Sequence, residues 1–302
     1  MSGEEKKRKC TIYVNIGLPA SGKTTETKEL LKSNGNLMRV NRDEIRRMLF
    51  YKWRGHKEKI VTQTETAAIR SAISAGFDVV VDDTNLNPGT ISRWRNLALE
   101  LNVPLVEKRY DTPIETCILR DSLRAEIEQV GRAVIENMAL SYELIPKLDS
   151  DQRVVIFDID GTLADMDDRR KYLHTKPKDY DNFYSYTTLM CDKPRDTIIA
   201  WSRACYDAAY MIIILSGRPS SRAGDATVDW LKMYHVHYDH LFMRADADRR
   251  DDEIIKQEIL DKILKWIPKR QILFAVDDRP RVIRMWQKNN IRVYDVGEGV
   301  EF

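Results

Sequence analysis

Two short stretches carry the residue types that phosphate chemistry needs. The first is Gly17-Leu18-Pro19-Ala20-Ser21-Gly22-Lys23-Thr24, a full match to GxxxxGK[ST]. Glycines let a backbone wrap a polyphosphate, and a helix opening at this point offers its free N–H groups to the same anion. The pattern assigns Gly17, Ser21 and Gly22 to the cradle, Lys23 to the β- and γ-phosphates of ATP, and the Thr24 hydroxyl to Mg²⁺. The second stretch is Asp158-Ile159-Asp160-Gly161-Thr162-Leu163. Aspartates at i and i+2 of an extended chain project to one side, and Gly161 permits a tight turn that brings N–H groups toward a phosphate.

Other residues extend each stretch into a constellation. Asp43 and Arg46, in Asn41-Arg42-Asp43-Glu44-Ile45-Arg46, are one helical turn apart and share a face. A carboxylate at a strand-to-helix junction can take the proton of a bound alcohol. The competing reading has Asp43 capping the helix and Arg46 as a surface charge. Asp82-Asp83-Thr84-Asn85 closes a predicted strand, where parallel sheets place ligands. A carboxylate there reaches Mg²⁺ through water or positions an acceptor. Arg120 and Arg124, four apart on a predicted helix, form a candidate lid over the phosphates of ATP; the alternative is pairing with surface acids such as Glu128. No NKxD-like guanine signature is visible. In the second half, Ser216-Gly217-Arg218 and Asp277-Asp278 end predicted strands, and Lys256 lies on a predicted helix.

The elements that must position these groups follow an alternating pattern, predicting two α/β domains whose mainly parallel sheets are flanked by helices. Strands are predicted over 11–16, 36–40, 77–81 and 104–110. Helices are predicted from 23 to about 31 and over 43–50, 57–75, 91–101, 113–129 and 133–142. The polar run Leu148–Arg153 sets the boundary, giving domains 1–149 and 150–302. Beyond it come strands at 154–158, 210–215, 271–276 and 291–295, a helix at 279–289, and a less regular flap over Asp165–Pro194.

Composition bounds the rest. The 302 residues fit two domains, and 43% hydrophobic content supports real cores. The longest apolar run, Ala208–Leu215, is far too short for a membrane span. No signal-peptide pattern follows the charged N-terminus. Net charge is only +2, so nucleic-acid contact must be local. Cys10, Cys117, Cys191 and Cys205 form no CxxC and read as reduced, buried thiols of a cytoplasmic protein. His235, His237 and His240 read as scattered loop histidines and not as a metal site. Trp53, between Lys52 and Arg54, is a weak candidate for base stacking.

The DxDGT run, with Ser216, Lys256 and Asp277-Asp278 in order behind it, resembles the haloacid dehalogenase (HAD) phosphatases. The resemblance implies that Asp158 attacks phosphorus and that Asp160 protonates the leaving alkoxide and then deprotonates water. Asp158, Asp160, Asp277 and Asp278 are the implied Mg²⁺ set. Thr162, Ser216 and Lys256 steady the phosphoryl oxygens, and Gly217 and Arg218 grip substrate. Only 54 positions separate Thr162 from Ser216, so any cap is small and the site is open to something large, such as a polymer end.

Together the two halves resemble, from about Lys9 to Val296, the bacteriophage polynucleotide 5′-kinase/3′-phosphatases. The likeness rests on GLPASGKT, VNRDEIR, VVDDTNLNP, the RxxxR pair, VIFDIDGTLA, ILSGR, Lys256 and AVDDRPRVIRMW. It implies ATP and Mg²⁺ as cofactors, Asp43 as general base for a 5′-hydroxyl, and Arg46, Asp83 and Thr84 at the acceptor nucleotide. It further implies Arg124 as lid arginine, Arg120 among the ATP contacts, and Arg244 at the phosphatase substrate. The substrates implied are RNA or DNA ends, with opening of a 2′,3′-cyclic phosphate left open. A partner ligase, a homotetramer and the cytoplasm of an infected host cell are implied as well. Val130-Gly131-Arg132 departs from the Val-Pro that often follows the lid, and the basic extension Met1–Lys9 has no counterpart. Two rival readings stand beside this one: a metabolite kinase fused to a small-molecule phosphatase, and a non-catalytic ATP-gated module that binds nucleic-acid ends.

Overall fold

In a computed structural model of the chain, the residues described are 10–50, 57–146, 148–149, 151–245 and 248–299. The basic extension Met1–Lys9 and the Lys52–Arg54 stacking candidate lie outside them. Packing divides the chain into two compact units, with residues up to Leu123 in one and those from Arg124 in the other.

In the first unit, β1 (Ile12–Ile16), α1 (Lys23–Ser33), β2 (Leu37–Val40), α2 (Arg42–Leu49), α3 (Glu58–Ser74), β3 (Asp78–Val81), α4 (Pro88–Glu100), β4 (Leu105–Arg109) and α5 (Ile114–Ser122) alternate along the chain. The sheet is parallel throughout, in the order β2-β3-β1-β4. Ile12, Val14, Val79 and Val81 are fully buried, as central strands covered on both faces require. Helix α3 turns Val61, Glu65, Ile69 and Ala72 inward at three- and four-residue spacing. The strand order sets the carboxyl ends of β1, β2 and β3 side by side. The loops carrying Gly17–Lys23, Asn41–Asp43 and Asp82–Asn85 therefore share one edge.

The second unit opens with α6 (Arg132–Ser141). It continues through β5 (Val154–Phe157), β6 (Ala164–Asp165), α7 (Asp167–Arg170), α8 (Tyr180–Phe183), α9 (Tyr186–Met190), β7 (Lys193–Pro194), α10 (Asp196–Asp207), β8 (Met211–Pro219), α11 (Ser220–Met233), β9 (His240–Arg244), α12 (Asp252–Trp266), β10 (Ile272–Asp277), α13 (Pro280–Lys288) and β11 (Val293–Asp295). Its sheet is parallel in the order β11-β10-β5-β8-β9, with Val155, Phe157, Ile212 and Ile214 buried at its centre. The flap is a short antiparallel β6–β7 pair enclosing three small helices.

Three differences from the sequence reading matter. The helix predicted over 113–129 stops at Ser122: only Cys117 and Asp121 of α5 are buried, Leu123 is 78% exposed, and Ala125 is extended. Arg120 and Arg124 therefore do not share a helical face. The packing division falls at 123/124, ahead of the polar run at 148–153, because α6 lies on β9 and α11. There Glu136 Oε2 accepts from Leu241 N at 2.9 Å, while Asn137 accepts from Met243 N at 3.1 Å and donates to Met243 O at 2.8 Å. Finally, Cys191 is exposed and Cys10 half-buried, so only Cys117 and Cys205 are the buried thiols expected.

Candidate active sites

The loop after β1 is shaped for an anion. A Cβ at Gly17 would come within 2.9 Å of Ser21 Oγ and 3.0 Å of Tyr110, so any side chain there would force its neighbours to move. Gly22 turns the chain at φ +104°, and no side chain caps the start of α1. Thr112 Oγ1 ties the loop down by donating to Ser21 O at 2.9 Å. The Lys23 ammonium is folded into the loop, donating to Leu18 O at 2.6 Å, Gly17 O at 2.9 Å and Ser21 Oγ at 3.1 Å. The Arg120 guanidinium lies 3.7 Å from where a Gly22 Cβ would stand. Thr24 follows on the first turn, half-buried. This glycine-walled, uncapped cradle fits a nucleoside triphosphate, with Thr24 as the hydroxyl available to its Mg²⁺.

Beside it, the helix-cap question resolves: Asn41 caps α2 by accepting from Glu44 N at 3.0 Å. Asp43 is released from that duty, stands exposed, and receives Arg46 Nη1 at 2.5 Å. Arg46 is held in turn by Glu58 on α3, at 2.8 and 3.0 Å. Asp83 takes Arg42 N at 3.0 Å and Asn41 Nδ2 at 3.2 Å on one oxygen, while its other oxygen is buried without a hydrogen bond. Burial pushes the Asp83 carboxyl up to about 8, and Glu65 and Asp43 push the same way against the Arg42 N–H. Glu65 is wholly buried between Arg42 at 2.8 Å and Arg93 at 3.0 Å. Asp82 is bound to Arg39 at 2.7 Å and Asn15 at 3.2 Å. Thr84 O accepts from Gly17 N at 3.0 Å, joining this loop to the cradle. Arg120 lies on α5, whereas Arg124 lies beyond the end of that helix and is counted with the second unit.

In the second unit, β5, β8 and β10 deliver their carboxyl ends to one point. Lys256 Nζ, from α12, donates to Asp158 Oδ1 at 2.7 Å and Asp277 Oδ2 at 2.9 Å, with Asp252 at 3.6 Å. Burial works against the Lys256 charge, but Asp158, Asp277 and Asp252 outweigh it and hold the ammonium well above lysine's usual value. Asp158 is pushed well up by burial and by Asp277, Asp278 and Asp252. Asp278 rises to about 6 through burial and Asp277. Carboxylate oxygens of Asp158, Asp277 and Asp278 lie within 4.8 Å of one another. Three buried hard donors crowded round one ammonium fit a Mg²⁺ ion, which their excess charge calls for. Gly161, at φ +83°, leaves that space free: a Cβ would fall 2.0 Å from Asp278 Oδ2.

Asp160 differs from expectation. Its carboxylate turns away from that cluster to Arg218, whose Nη2 and Nε donate at 2.6 and 2.9 Å, and to Arg169. Burial, which raises a carboxyl, is outweighed by these two arginines, and Asp160 is held well below the usual carboxylate range. The carboxylates that cluster closely enough to share an ion among the described residues are those of Asp158, Asp277 and Asp278, and Asp160 is not one of them. The same arginines bind buried Asp192, Arg169 at 2.8 Å and Arg218 at 2.8 Å. Ser216 is buried and its Oγ accepts from Arg218 N at 3.2 Å; Thr162 Oγ1 is buried without a hydrogen bond. Arg244 donates to Gly217 O at 2.7 Å and to Asp252 at 3.3 Å. Above the cluster opens a cleft of about 1090 Å³ walled by flap residues Tyr180, Phe183 and Tyr184 and by Arg222, Arg244 and Arg279.

Sequence reasoning missed Arg169, Asp192, Asp252, Glu58 and Glu65. Asp252 had a signal, four residues before Lys256 on one helix face. Arg169 and Asp192 sit at the two ends of an irregular flap and meet only in space. Two of the three histidines stack on aromatic rings, His240 on Phe242 and His237 on Tyr206.

The structure defines a two-domain α/β chain, in which a P-loop domain precedes a domain of HAD-like fold. Residues 12–145 match the family model of the AAA domain, and residues 152–301 match that of the polynucleotide kinase PNKP phosphatase domain. A protein of Autographa californica nuclear polyhedrosis virus named "Putative bifunctional polynucleotide kinase/RNA ligase" is 28% identical over 299 residues, 91% of this chain and 41% of that protein. The L-seryl-tRNA(Sec) kinase of Methanococcus maripaludis is 26% identical over 131 residues, 42% of this chain and 50% of that protein. The chain thus spans half or less of the length of these curated relatives. A chain of the solved Pnkp1/Rnl/Hen1 RNA repair complex is 24% identical, covers 100% of both chains, and superposes with a TM-score of 0.42. No helix among the described residues is long and apolar enough to cross a membrane.

Proposed function

We propose that this chain heals broken nucleic-acid ends, transferring the γ-phosphate of ATP to a 5′-hydroxyl and removing a 3′-phosphate. The observation that carries the reading is the Asp158–Lys256–Asp277–Asp278 cluster at the floor of an open, arginine-walled cleft, in a domain matching the polynucleotide kinase phosphatase model. Such a cleft suits a strand end better than the sealed site a small metabolite needs. A non-catalytic binder has no use for a buried nucleophile beside a buried ammonium.

In the first step, Lys23 leaves the loop carbonyls for the phosphates, and Arg120 flanks them from α5. Asp43, exposed and oriented by Arg46, accepts the proton of the 5′-hydroxyl as its oxygen attacks the γ-phosphorus in line. Asp83 and Thr84 border the acceptor, and Arg124 serves as lid residue. In the second domain, Asp158 attacks the 3′-phosphorus; the new carboxylate–phosphorus bond forms as the bond to the 3′-oxygen breaks. Asp158, Asp277 and Asp278 would hold Mg²⁺, which would supply charge neutralisation. Lys256, Ser216 and Thr162 face the phosphoryl oxygens, and Arg218 and Arg244 grip the substrate. Asp160 starts ionised and tightly paired, and so is a weak base. Once Arg218 and Arg169 are drawn toward the incoming phosphate its basicity rises, which lets it carry a proton to the leaving 3′-oxygen and then take one from water.

The name of the baculovirus relative supports a ligase as downstream partner, an RNA ligase first. RNA ends thus become the favoured substrate, in the cytoplasm of a host cell if the chain is phage-encoded. Opening of a 2′,3′-cyclic phosphate and a homotetramer are carried on the phage resemblance. The test is a labelled-ATP assay on a 5′-hydroxyl, 3′-phosphate oligonucleotide. Asp43→Asn should abolish only label transfer and Asp158→Asn only phosphate release. Absence of both activities in the unaltered protein would sink the reading.

A further inference from the structure

The flap carries an aromatic ladder that the phosphatase chemistry leaves unused. The Arg169 guanidinium, bound to catalytic Asp160, sits 4.4 Å from the Phe183 ring centroid. Phe183 meets Tyr184 edge-on at 4.7 Å, and Tyr184 stacks with Tyr180 at 6.3 Å with the planes only 11° apart. Exposure rises along this series, from 4% at Phe183 to 47% at Tyr180. All three rings line the cleft, so the ladder runs from the catalytic floor toward solvent and ends in a bare tyrosine face. Two exposed cations on the same cleft, Lys178 and Arg249, make no salt bridge among the described residues. At about 1090 Å³ the cleft also exceeds the few hundred Å³ that a single phosphate ester fills.

We infer that Tyr180 is a stacking platform for the nucleobase of the 3′-terminal nucleotide, and that Lys178 and Arg249 receive the phosphodiester on its 5′ side. This rests on the 3′-phosphatase reading and adds to it what the second domain recognises: a base and a backbone phosphate as well as the phosphate it removes. Stacking tolerates every base because each has a π-face, which suits an enzyme acting on ends of any sequence. The parallel Tyr180–Tyr184 pair fixes the platform's orientation, so a base continuing the stack brings its own 3′-phosphate down the ladder toward Asp158.

The test compares a trinucleotide 3′-phosphate, the same trinucleotide with an abasic terminal nucleotide, and p-nitrophenyl phosphate, with Mg²⁺ present. Tyr180→Ala should lower the ratio of kcat/KM on the trinucleotide to that on p-nitrophenyl phosphate by about tenfold, the loss of one base–aromatic stack, mostly through KM. Tyr180→Phe should keep the ratio. Removing the terminal base should cost the unaltered enzyme a similar factor and Tyr180→Ala nothing further. Replacing Lys178 and Arg249 by alanine should flatten the dependence of log KM on log salt by about 0.7 per charge. An unchanged ratio in Tyr180→Ala, or additive effects of the two deletions, overturns the inference while leaving the 3′-phosphatase standing. An unaltered enzyme that hydrolyses p-nitrophenyl phosphate but no oligonucleotide overturns both.

Discussion

Replacing Lys256 by methionine keeps the aliphatic stem and deletes the one ammonium among Asp158, Asp277 and Asp252, to which it stands at 2.7, 2.9 and 3.6 Å. The lysine is 1% exposed and its two nearest partners 5% or less, so solvent does not replace what is lost. Removing one partner of a buried pair costs about 3–5 kcal/mol; at roughly 2–4 °C per kcal/mol for a unit of this size, the unfolding midpoint should fall by about 6–20 °C. The measurement is scanning calorimetry in chelator, following the transition of the second unit. Two internal checks come with it. Mg²⁺ should recover more of the midpoint in the variant than in the unaltered protein, because Asp158 and Asp277 then lose their hydrogen-bonded cation while Asp252 keeps only Arg244 and Arg279 at its side among the described residues. The deficit should also shrink as pH falls, since those carboxyls can neutralise by taking up protons. Phosphate release should vanish and label transfer persist. A variant as stable as the parent in chelator, or one that gains no more from Mg²⁺, would refute the reasoning that Lys256 balances this cluster.

Three further outcomes are expected. Gly161→Ala should abolish phosphate release and spare label transfer in the oligonucleotide assay, because its Cβ would lie 2.0 Å from Asp278 Oδ2 at a backbone angle of φ +83°. Asn41→Ala should lower the first unit's stability in urea denaturation by about 1 kcal/mol through loss of the α2 cap, and should lower kinase rate by loosening the Asp83 carboxyl that Asn41 also holds. His240 is held neutral by burial and by Arg132, its pKa lowered to about 4. The unfolded histidine takes up a proton first, so this contribution is intact above about 6.5 and is lost as pH falls through 4. His240→Phe, which can keep the stack on Phe242, should flatten that part of the stability–pH curve.

Much of both sites was legible because their residues sit at strand ends in contiguous runs, where the local pattern already contains the geometry: Gly17–Thr24, Asp158–Thr162 and Asp277-Asp278. What could not be read depends on which surfaces meet. Arg124 looked like a helical neighbour of Arg120 by spacing, but α5 has too little buried face to continue past Ser122. Asp43 was the cap candidate in the sequence, but the cap is Asn41, whose amide also donates to Asp82 O and Asp83 on the neighbouring strand's loop. Asp160 could not be seen to face arginines, since Arg169 comes from a flap with no periodicity. The strand β9 was missed outright: its apolar residues number three, Leu241, Phe242 and Met243, between the polar neighbours His240 and Arg244.

The position of α6 has a consequence for how the chain may be cut. Strand β9 is the outermost of its sheet, and its free N–H and C=O groups are the kind that recruit strands from other molecules. Glu136 and Asn137 occupy three of those groups, on Leu241 and Met243, so a helix belonging by sequence to the region before the polar run acts as a guard rail for the sheet behind it. A fragment begun at residue 150 would keep every residue of the phosphatase cluster and yet present a bare, sticky edge. Begun at 124, it would carry its own protection against self-association.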